Sequence, residues 1–154
     1  MGSPCQIHVM GEKKAKLDRF AKECRQQALG FEKKYSRYRP DSILTKINLS
    51  AGKEPIRIDA ETFALLNYAR VCYEQSEGFF DITSGVLRNL WNAETVKFPS
   101  ERALEEHLNK IGFSKLRFND KEAFLPFNGM ELDFGGIVKE YAADALAATA
   151  RKRK

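Results

Sequence analysis

The sequence predicts an α+β fold, and three observations support this class. Segments with helical periodicity alternate with short segments of strand periodicity along the chain. No internal repeat, low-complexity stretch or Gly/Ser linker divides the 154 residues. The composition, 43% hydrophobic and 31% charged, suits one globular core. We therefore expect a single domain without an internal boundary.

The positive charge is concentrated at the C-terminal end. The formal net charge is +5, and the Arg-Lys-Arg-Lys sequence at residues 151–154 accounts for most of it. Such a basic end typically complements a helix dipole, and no aromatic residues alternate with it, so we expect no nucleic-acid binding. No run approaches the roughly 18 apolar residues of a membrane span, and residues 1–20 lack a signal-peptide pattern. Membrane insertion by these residues is therefore not expected.

The cysteines and histidines are too dispersed to suggest a metal cluster. Cys5, Cys24 and Cys72 lie far apart, and His8 and His107 are about a hundred residues apart. This spacing disfavours a zinc site or a Cys/His nucleophile pair. Buried free thiols are the expectation for all three cysteines.

A strand and a long helix are predicted first. Residues 5–10 alternate between apolar and polar side chains, which predicts a half-buried strand. Residues 12–35 place apolar side chains at three- and four-residue steps, which predicts an amphipathic helix. Gly30 inside this pattern indicates either close packing or a break.

An aromatic and cationic turn follows at residues 35–42, with the sequence YSRYRPDS. Pro40 disfavours helical backbone at Arg39, and Asp41 or Ser42 can cap the next segment. The tyrosines suit either ordinary surface packing or stacking on a planar ligand. The next predicted elements are a helical turn or loop at 43–48, a short strand at 56–58 and a helix from residue 59 or 60 to 75.

Residues 77–85, EGFFDITSG, form a predicted loop with two phenylalanines and an acid between glycines. Such loops often hold ligands, but paired phenylalanines are also common in cores, so both interpretations stay open. Further along, we predict a short helix at 86–91, a connection around 92–98, a helix from a Ser100 cap to Ile111 with Gly112 as its stop, and a hairpin of strands 116–118 and 123–125.

The last segment combines a strand, a glycine hinge and a helix start. Residues 130–134 read as a further strand in which Leu132 and Phe134 point to one face. The glycine hinge, Gly135 and Gly136, permits backbone conformations or ligand approaches that a Cβ would block. A helix follows, and its N-terminal N–H groups and dipole favour an anion.

Lys139 lies in the first turn of that helix, where a cation opposes the dipole. An anionic ligand nearby would justify this position. Alternatively, Lys139 is a solvated lysine offset by Glu140, and Asp133 only helps to cap the helix. The two interpretations stay open on the motif alone.

Four blocks together carry a resemblance to a known family: MGS at 1–3, YSRYRPDS at 35–42, GFFDIT at 78–83 and DFGGIVKEYAAD at 133–144. In this order and spacing they resemble the N-terminal half of the FAD:protein FMN transferase (ApbE) family, over essentially the whole chain. The resemblance implies a T-fold-like flavin transferase domain, with a mixed sheet flanked by helices. It also implies that the C-terminal part of the domain is absent from these residues.

The resemblance further implies an enzyme that binds FAD and Mg²⁺. Such enzymes transfer FMN to a threonine or serine hydroxyl of a target protein and release AMP, and some members hydrolyse FAD instead. The family's other metal ligands and its substrate-facing histidine lie in the later half, so no catalytic residue is predicted here. By matching position, Gly136 gives a main-chain oxygen to the metal, and the predicted FAD contacts are Met1, Tyr38, Phe79, Phe80, Asp81, Asp133 and Lys139.

Two other classes of function stay open. One is a module that binds or hydrolyses FAD without modifying a protein, and the other is a non-enzymatic fragment. The residues favour a flavin nucleotide because Tyr38 and Phe79 offer aromatic surface and Lys139 can meet diphosphate charge.

Overall fold

The computed structural model describes residues 5–11, 13–91 and 98–152. These residues form an α+β fold, which confirms the predicted class. Two 3₁₀ helices, Gly85–Asn89 and Phe113–Lys115, accompany the longer elements. The α-helices are α1 (Lys14–Tyr35), α2 (Ile43–Leu49), α3 (Ala60–Gln75), α4 (Glu101–Leu108) and α5 (Val138–Arg151), and the strands are β1 (Ile56–Arg57), β2 (Arg117–Phe118) and β3 (Glu122–Phe124).

The strands form one sheet in the order β1-β3-β2. Both pairings are antiparallel, and Ala123 at the centre faces Ile56 on one side and Phe118 on the other. A mixed sheet was expected, but parallel pairing within the described residues is limited to an isolated bridge between Ser84 and Glu131. Helix α3 packs against this sheet, because the Phe63 ring meets the Phe118 ring of β2 edge-on at 6.0 Å.

The hairpin of β2 and β3 lies where the sequence predicts it. The Asn119 side chain shapes its turn, because Oδ1 accepts hydrogen bonds from the N–H groups of Lys121 at 2.8 Å and Glu122 at 3.0 Å. An asparagine that bonds to the backbone two residues later is a common turn-forming device.

Side-chain caps lie at the starts of α2, α3 and α4, whereas α1 and α5 begin without one. Asp59 accepts a hydrogen bond from the Thr62 N–H at 2.9 Å at the start of α3, and Ser42 accepts from Thr45 at 3.0 Å at the start of α2. The helix predicted at 12–35 is confirmed as α1. Gly30 neither breaks α1 nor packs closely, since a Cβ at this position would have no atom within 4 Å.

The strand predicted at residues 5–10 is wrong. Residues 5–11 are not paired with any described strand, and most of their side chains are exposed, including Cys5 and Ile7. Alternating side chains alone do not make a strand, because the backbone N–H and C=O groups need a neighbouring strand. The expectation of buried thiols holds for Cys24 but not for Cys5, and Cys72 is half-buried.

Residues 130–134 also form no strand of the sheet. Leu132 N donates to Asn48 Oδ1 at 2.8 Å, and Asn48 Nδ2 donates to Leu132 O at 3.0 Å. The amide side chain of Asn48 and the main chain of residues 82–84 are therefore the backbone partners of this segment. The predicted alternation is nevertheless correct, because Leu132 and Phe134 are buried.

Two predicted helices are shorter than expected. α4 starts after the predicted Ser100 cap but ends at Leu108, three residues before Ile111. The helix predicted at 86–91 is the 3₁₀ helix Gly85–Asn89. Of the connection expected around 92–98, residues 92–97 lie outside the described residues.

Aromatic contacts fix the end of α1 against the C-terminal segment. The Phe31 ring meets Tyr141 of α5 edge-on at 5.6 Å, and Tyr35 meets Phe134 at 5.7 Å. The turn after α1 therefore stands over the glycine hinge. None of the described helices has the length and apolar character of a membrane-spanning segment.

Candidate functional site

A pocket of about 260 Å³ opens between the turn after α1, the 3₁₀ helix Gly85–Asn89 and the start of α5. Three of the predicted FAD contacts, Tyr38, Asp133 and Lys139, line this pocket. Two arginines, Arg37 and Arg88, line it as well. The pocket thus contains three cationic side chains and one carboxylate beside aromatic surface, which suits an anionic ligand with a planar ring.

The position of Asp133 follows from close packing between two loop segments. Asp133 N donates to Ile82 O at 2.8 Å, so the segments lie side by side. Gly85 permits this approach, because a Cβ there would lie 3.0 Å from Glu131 O and 3.2 Å from the Asp133 Cβ. The 3₁₀ helix that carries Arg88 therefore starts directly beside Asp133.

Both oxygens of the Asp133 carboxylate have partners, one a backbone N–H group and the other two guanidinium groups. Oδ1 accepts a hydrogen bond from the Gly135 N–H at 2.7 Å. Oδ2 lies 2.6 Å from Arg88 Nε and 3.6 Å from Arg37 Nη1. The side chain is only 13% exposed, so these interactions are poorly screened by water.

Arg37 connects Asp133 with Tyr38. Its guanidinium lies over the Tyr38 ring, 4.8 Å from the centroid, and its Nη2 donates to the tyrosine hydroxyl at 3.1 Å. This hydrogen bond and the guanidinium charge lower the pKa of the Tyr38 hydroxyl. The Tyr38 side chain is 72% exposed and thus leaves ring surface accessible to a ligand.

Lys139 and the glycine hinge form the side of the pocket at the start of α5. Lys139 is exposed in the first turn of the helix, as predicted. The hinge glycines do not adopt positive φ, so close approach explains them. A Cβ on Gly135 would lie 3.0 Å from Asp133 Oδ1, and a Cβ on Gly136 would lie 2.9 Å from Phe80 Cε2.

The predicted site residues in the loop at 77–85 have different environments. Phe80 packs beside Gly136, whereas Phe79 is 95% exposed and does not line the pocket. Asp81 holds the loop together, because its carboxylate accepts hydrogen bonds from Thr83 N at 2.8 Å, Thr83 Oγ1 at 2.7 Å and Phe113 N at 2.9 Å. Met1 lies outside the described residues.

The prediction missed both arginines as site residues. Arg37 stands next to Tyr38 in the turn that was recognised as cationic, and this proximity was an available signal. Arg88 is a single cation in the otherwise uncharged sequence GVLRNLW, after the aromatic loop. Only the packing of residues 82–85 against 131–133 reveals its contact with Asp133.

The described residues do not fit a complete magnesium site. They contain no group of three or more histidine, cysteine, aspartate or glutamate side chains placed to hold a metal ion. Mg²⁺ requires near-octahedral oxygen ligands. The predicted main-chain oxygen of Gly136 could supply one of them.

Comparison with known proteins identifies relatives of this chain. A FAD:protein FMN transferase of Chlamydia pneumoniae is 32% identical over 116 residues, which are 73% of this chain and 37% of the relative. One of Treponema pallidum is 32% identical over 117 residues, 70% of this chain and 32% of the relative. The chain thus spans about a third of the length of these curated relatives.

Solved structures agree in fold. The crystal structure of an ApbE protein from Thermotoga maritima has a TM-score of 0.79 at 30% identity and covers 88% of this chain and 45% of its own. The flavin transferase ApbE of Vibrio cholerae has a TM-score of 0.81 at 22% identity, with 96% and 48% covered. The ApbE family model matches residues 1–154. The chain therefore belongs to the ApbE family.

Proposed function

We propose that this chain forms the N-terminal part of a single flavin transferase domain. The complete protein would transfer FMN from FAD to a threonine or serine hydroxyl of a target protein and release AMP. The observation that carries this proposal is the pocket in which Tyr38, Asp133 and Lys139 meet Arg37 and Arg88. The named function of the relatives from Chlamydia pneumoniae and Treponema pallidum supports the choice of reaction.

The volume of the pocket suits one end of FAD better than the whole molecule. Pockets for drug-sized ligands span roughly 300–1,000 Å³, whereas this pocket has about 260 Å³. We infer that it holds one part of FAD together with phosphate oxygens, and that the rest of the nucleotide contacts surface outside this pocket. The predicted contacts Phe79, Phe80 and Asp81, which do not line the pocket, belong to that second surface in this proposal.

In the proposed reaction, the target hydroxyl oxygen forms a bond with the FMN phosphorus. The bond between that phosphorus and the bridging oxygen breaks, the bridging oxygen leaves with AMP, and the hydroxyl loses its proton. Positive charge that faces the diphosphate favours this step, because negative charge shifts onto the leaving oxygen. Lys139 would supply this charge, and no proton acceptor is assigned among the described residues.

Magnesium would add further positive charge when bound. We propose that the main-chain oxygen of Gly136 is one ligand and that the others come from outside the described residues. A single carbonyl does not hold Mg²⁺ by itself.

The proposal is tested by incubating the complete protein with FAD, Mg²⁺ and a candidate target protein, and measuring the target mass and released AMP. We expect the target to gain one FMN for each AMP, and to lose this gain when its acceptor hydroxyl is removed. Asp133→Asn should reduce this transfer, whereas its matched control Asp18→Asn should not, because Asp18 pairs with Lys14 at 2.7 Å and does not line the pocket. AMP and FMN without a modified target would favour FAD hydrolysis, and no FAD turnover or binding would contradict both.

A further inference from the structure

Two arginines enclose the Asp133 carboxylate in the pocket. Arg88 Nε lies 2.6 Å from Oδ2, whereas Arg37 Nη1 lies 3.6 Å from the same oxygen, too far for a hydrogen bond. Arg88 therefore makes the stronger contact. Neither arginine is among the positions that the family resemblance matched to FAD.

We infer that Arg88 is a positioning residue for FAD that acts through Asp133; this inference rests on the proposed function. An ionised carboxylate offers about four acceptor positions. The Gly135 N–H occupies one on Oδ1 at 2.7 Å, and Arg88 occupies one on Oδ2. Because both oxygens are held, the carboxylate cannot rotate freely, and the direction of its remaining acceptor positions is set before FAD binds.

The fold does not depend on the guanidinium of Arg88. Its side chain is 50% exposed, whereas the neighbouring Val86 is 1% exposed and anchors the 3₁₀ helix in the interior. The backbone bonds from Leu87 N to Ser84 O and from Leu90 N to Leu87 O, both 3.0 Å, form without it. Removal of the charge should therefore affect Asp133 more than the local fold.

Arg37 has a separate attachment that makes the two arginines distinguishable. Its guanidinium is held on the Tyr38 ring and hydroxyl, and Arg88 contacts neither of these groups in the described hydrogen bonds. Substitution of Arg88 should therefore leave the Arg37–Tyr38 pair in place. The hydrogen bond and charge of Arg37 are the main causes of the lowered pKa of Tyr38, and the charge of Arg88 adds a smaller lowering, so this pKa should rise less in Arg88→Met than in Arg37→Met.

The test measures FAD affinity of the complete protein by calorimetry for Arg88→Met, Arg88→Lys, Asp133→Asn and the Arg88→Met/Asp133→Asn double variant. We expect Arg88→Met to weaken binding about tenfold, as for loss of a charge-assisted hydrogen bond. The double variant should bind no more weakly than Asp133→Asn, because Arg88 acts only through that carboxylate. Arg88→Lys should restore part of the affinity.

The matched control is Arg102→Met. The Arg102 side chain is 89% exposed, and its Nε pairs with Glu106 Oε1 at 3.0 Å. Its FAD affinity should equal that of the wild type. Additive losses in the double variant would overturn the inference while leaving the proposed function intact. A second result would also overturn it. In that case Arg88→Met has both a lower FAD affinity and a lower unfolding temperature, and Arg88→Lys restores the unfolding temperature but not the affinity. Absence of FAD binding by the wild type would overturn both the inference and the proposed function.

Discussion

The Tyr35 hydroxyl donates a hydrogen bond to Glu61 Oε1 at 2.9 Å and so ties the last residue of α1 to the first turn of α3. Lys34 bonds to the same oxygen at 2.6 Å and to Asp59 Oδ2 at 2.6 Å. On its other side, the Tyr35 ring contacts Phe134. This network therefore fixes where the turn after α1 stands relative to the glycine hinge, and with it the wall of the pocket.

Tyr35→Phe should destabilise the complete protein by about 1 kcal/mol near neutral pH, because a buried hydrogen bond to a charged group is lost. Burial raises the pKa of the Tyr35 hydroxyl well above its ordinary value of 10.0. The stability that the neutral hydroxyl contributes is thus fully present below pH 10.0 and is lost as the pH rises further. Urea unfolding measures the free energy of unfolding of wild type and variant at neutral pH and above pH 10. The difference between the two proteins should be smaller above pH 10.

The control for this experiment has the opposite sign. Arg37 lowers the pKa of Tyr38. The difference in free energy of unfolding between the wild type and Tyr38→Phe should therefore not shrink above pH 10. A Tyr35→Phe difference that stays constant across this range would contradict a raised pKa for Tyr35.

Local signals in the sequence predicted most helices correctly. α1 and α3 follow from apolar periodicity, and the start of α3 follows from Asp59, whose side chain caps the helix that it precedes. The hairpin follows from Asn119 in the same way. These features need no distant partner, so the sequence is sufficient to predict them.

The wrong predictions concern segments whose structure depends on distant partners. Residues 130–134 have strand-like alternation, but the partners of their backbone are the side chain of Asn48, 84 positions away, and the main chain of residues 82–84. Likewise, Arg88 is a site residue because it pairs with Asp133. The two residues meet because the main chain at Gly85 lies close to residues 131–133. Tyr38, Asp133 and Lys139 were found through family resemblance, and their meeting in one pocket required the fold.

The complete protein should lose less stability on acidification in the Lys34→Met variant than in the wild type. Burial raises the pKa of the Asp59 carboxyl, but hydrogen bonds from Lys34 and Thr62 outweigh burial and lower it from 3.8 to about 2. A depressed pKa contributes stability that is present above pH 3.8 and is lost as the pH falls towards 2. Urea midpoints measured across this window should therefore fall less steeply in the variant.

Lys14→Met provides the comparison for Lys34→Met. Lys14 also pairs with an aspartate, Asp18, at 2.7 Å, but both side chains are largely exposed. Such pairs contribute little to stability. A pH profile for Lys34→Met that equals the Lys14→Met profile would refute the role of Lys34.

Two glycine substitutions should have opposite effects on stability. Gly30→Ala should stabilise the complete protein by about 0.5–1 kcal/mol, because alanine is the better helix former and its Cβ meets no atom within 4 Å. Gly136→Ala should destabilise it, because the new Cβ would lie 2.9 Å from Phe80 Cε2. Thermal unfolding of both variants gives the comparison, and a stabilised Gly136→Ala protein would show that the Phe80 ring moves away at no cost.

The Tyr38 hydroxyl should titrate at higher pH in an Arg37→Met variant. The hydrogen bond from Arg37 Nη2 at 3.1 Å and the nearby charge lower the pKa of this hydroxyl, and both disappear with the guanidinium. Phenolate absorbance is recorded against pH for Arg37→Met and for the wild type, each with its Tyr38→Phe counterpart subtracted. An unchanged Tyr38 curve would mean that the contact does not persist in solution.

Asp133→Asn and Lys139→Met should weaken FAD binding in different ways, each by about 1–3 kcal/mol if the contacts are charge-assisted. Lys139 is exposed at the start of α5 and would face the diphosphate, so its loss should weaken FAD binding but not the binding of riboflavin, which lacks phosphate. Asp133 is largely enclosed and would accept from a ring or ribose donor, so its loss should weaken FAD and one neutral fragment, riboflavin or adenosine, by a similar factor.

Competition of each fragment against FAD measures these factors in the complete protein. Added salt sharpens the contrast, because screening should weaken FAD binding by the wild type more than by Lys139→Met, whose interaction with the diphosphate charge is already gone. Asp133→Asn keeps that lysine and should retain the salt dependence of the wild type. Equal losses for FAD and for both neutral fragments in both variants would show that the two side chains support the pocket as a whole and do not divide the ligand between them.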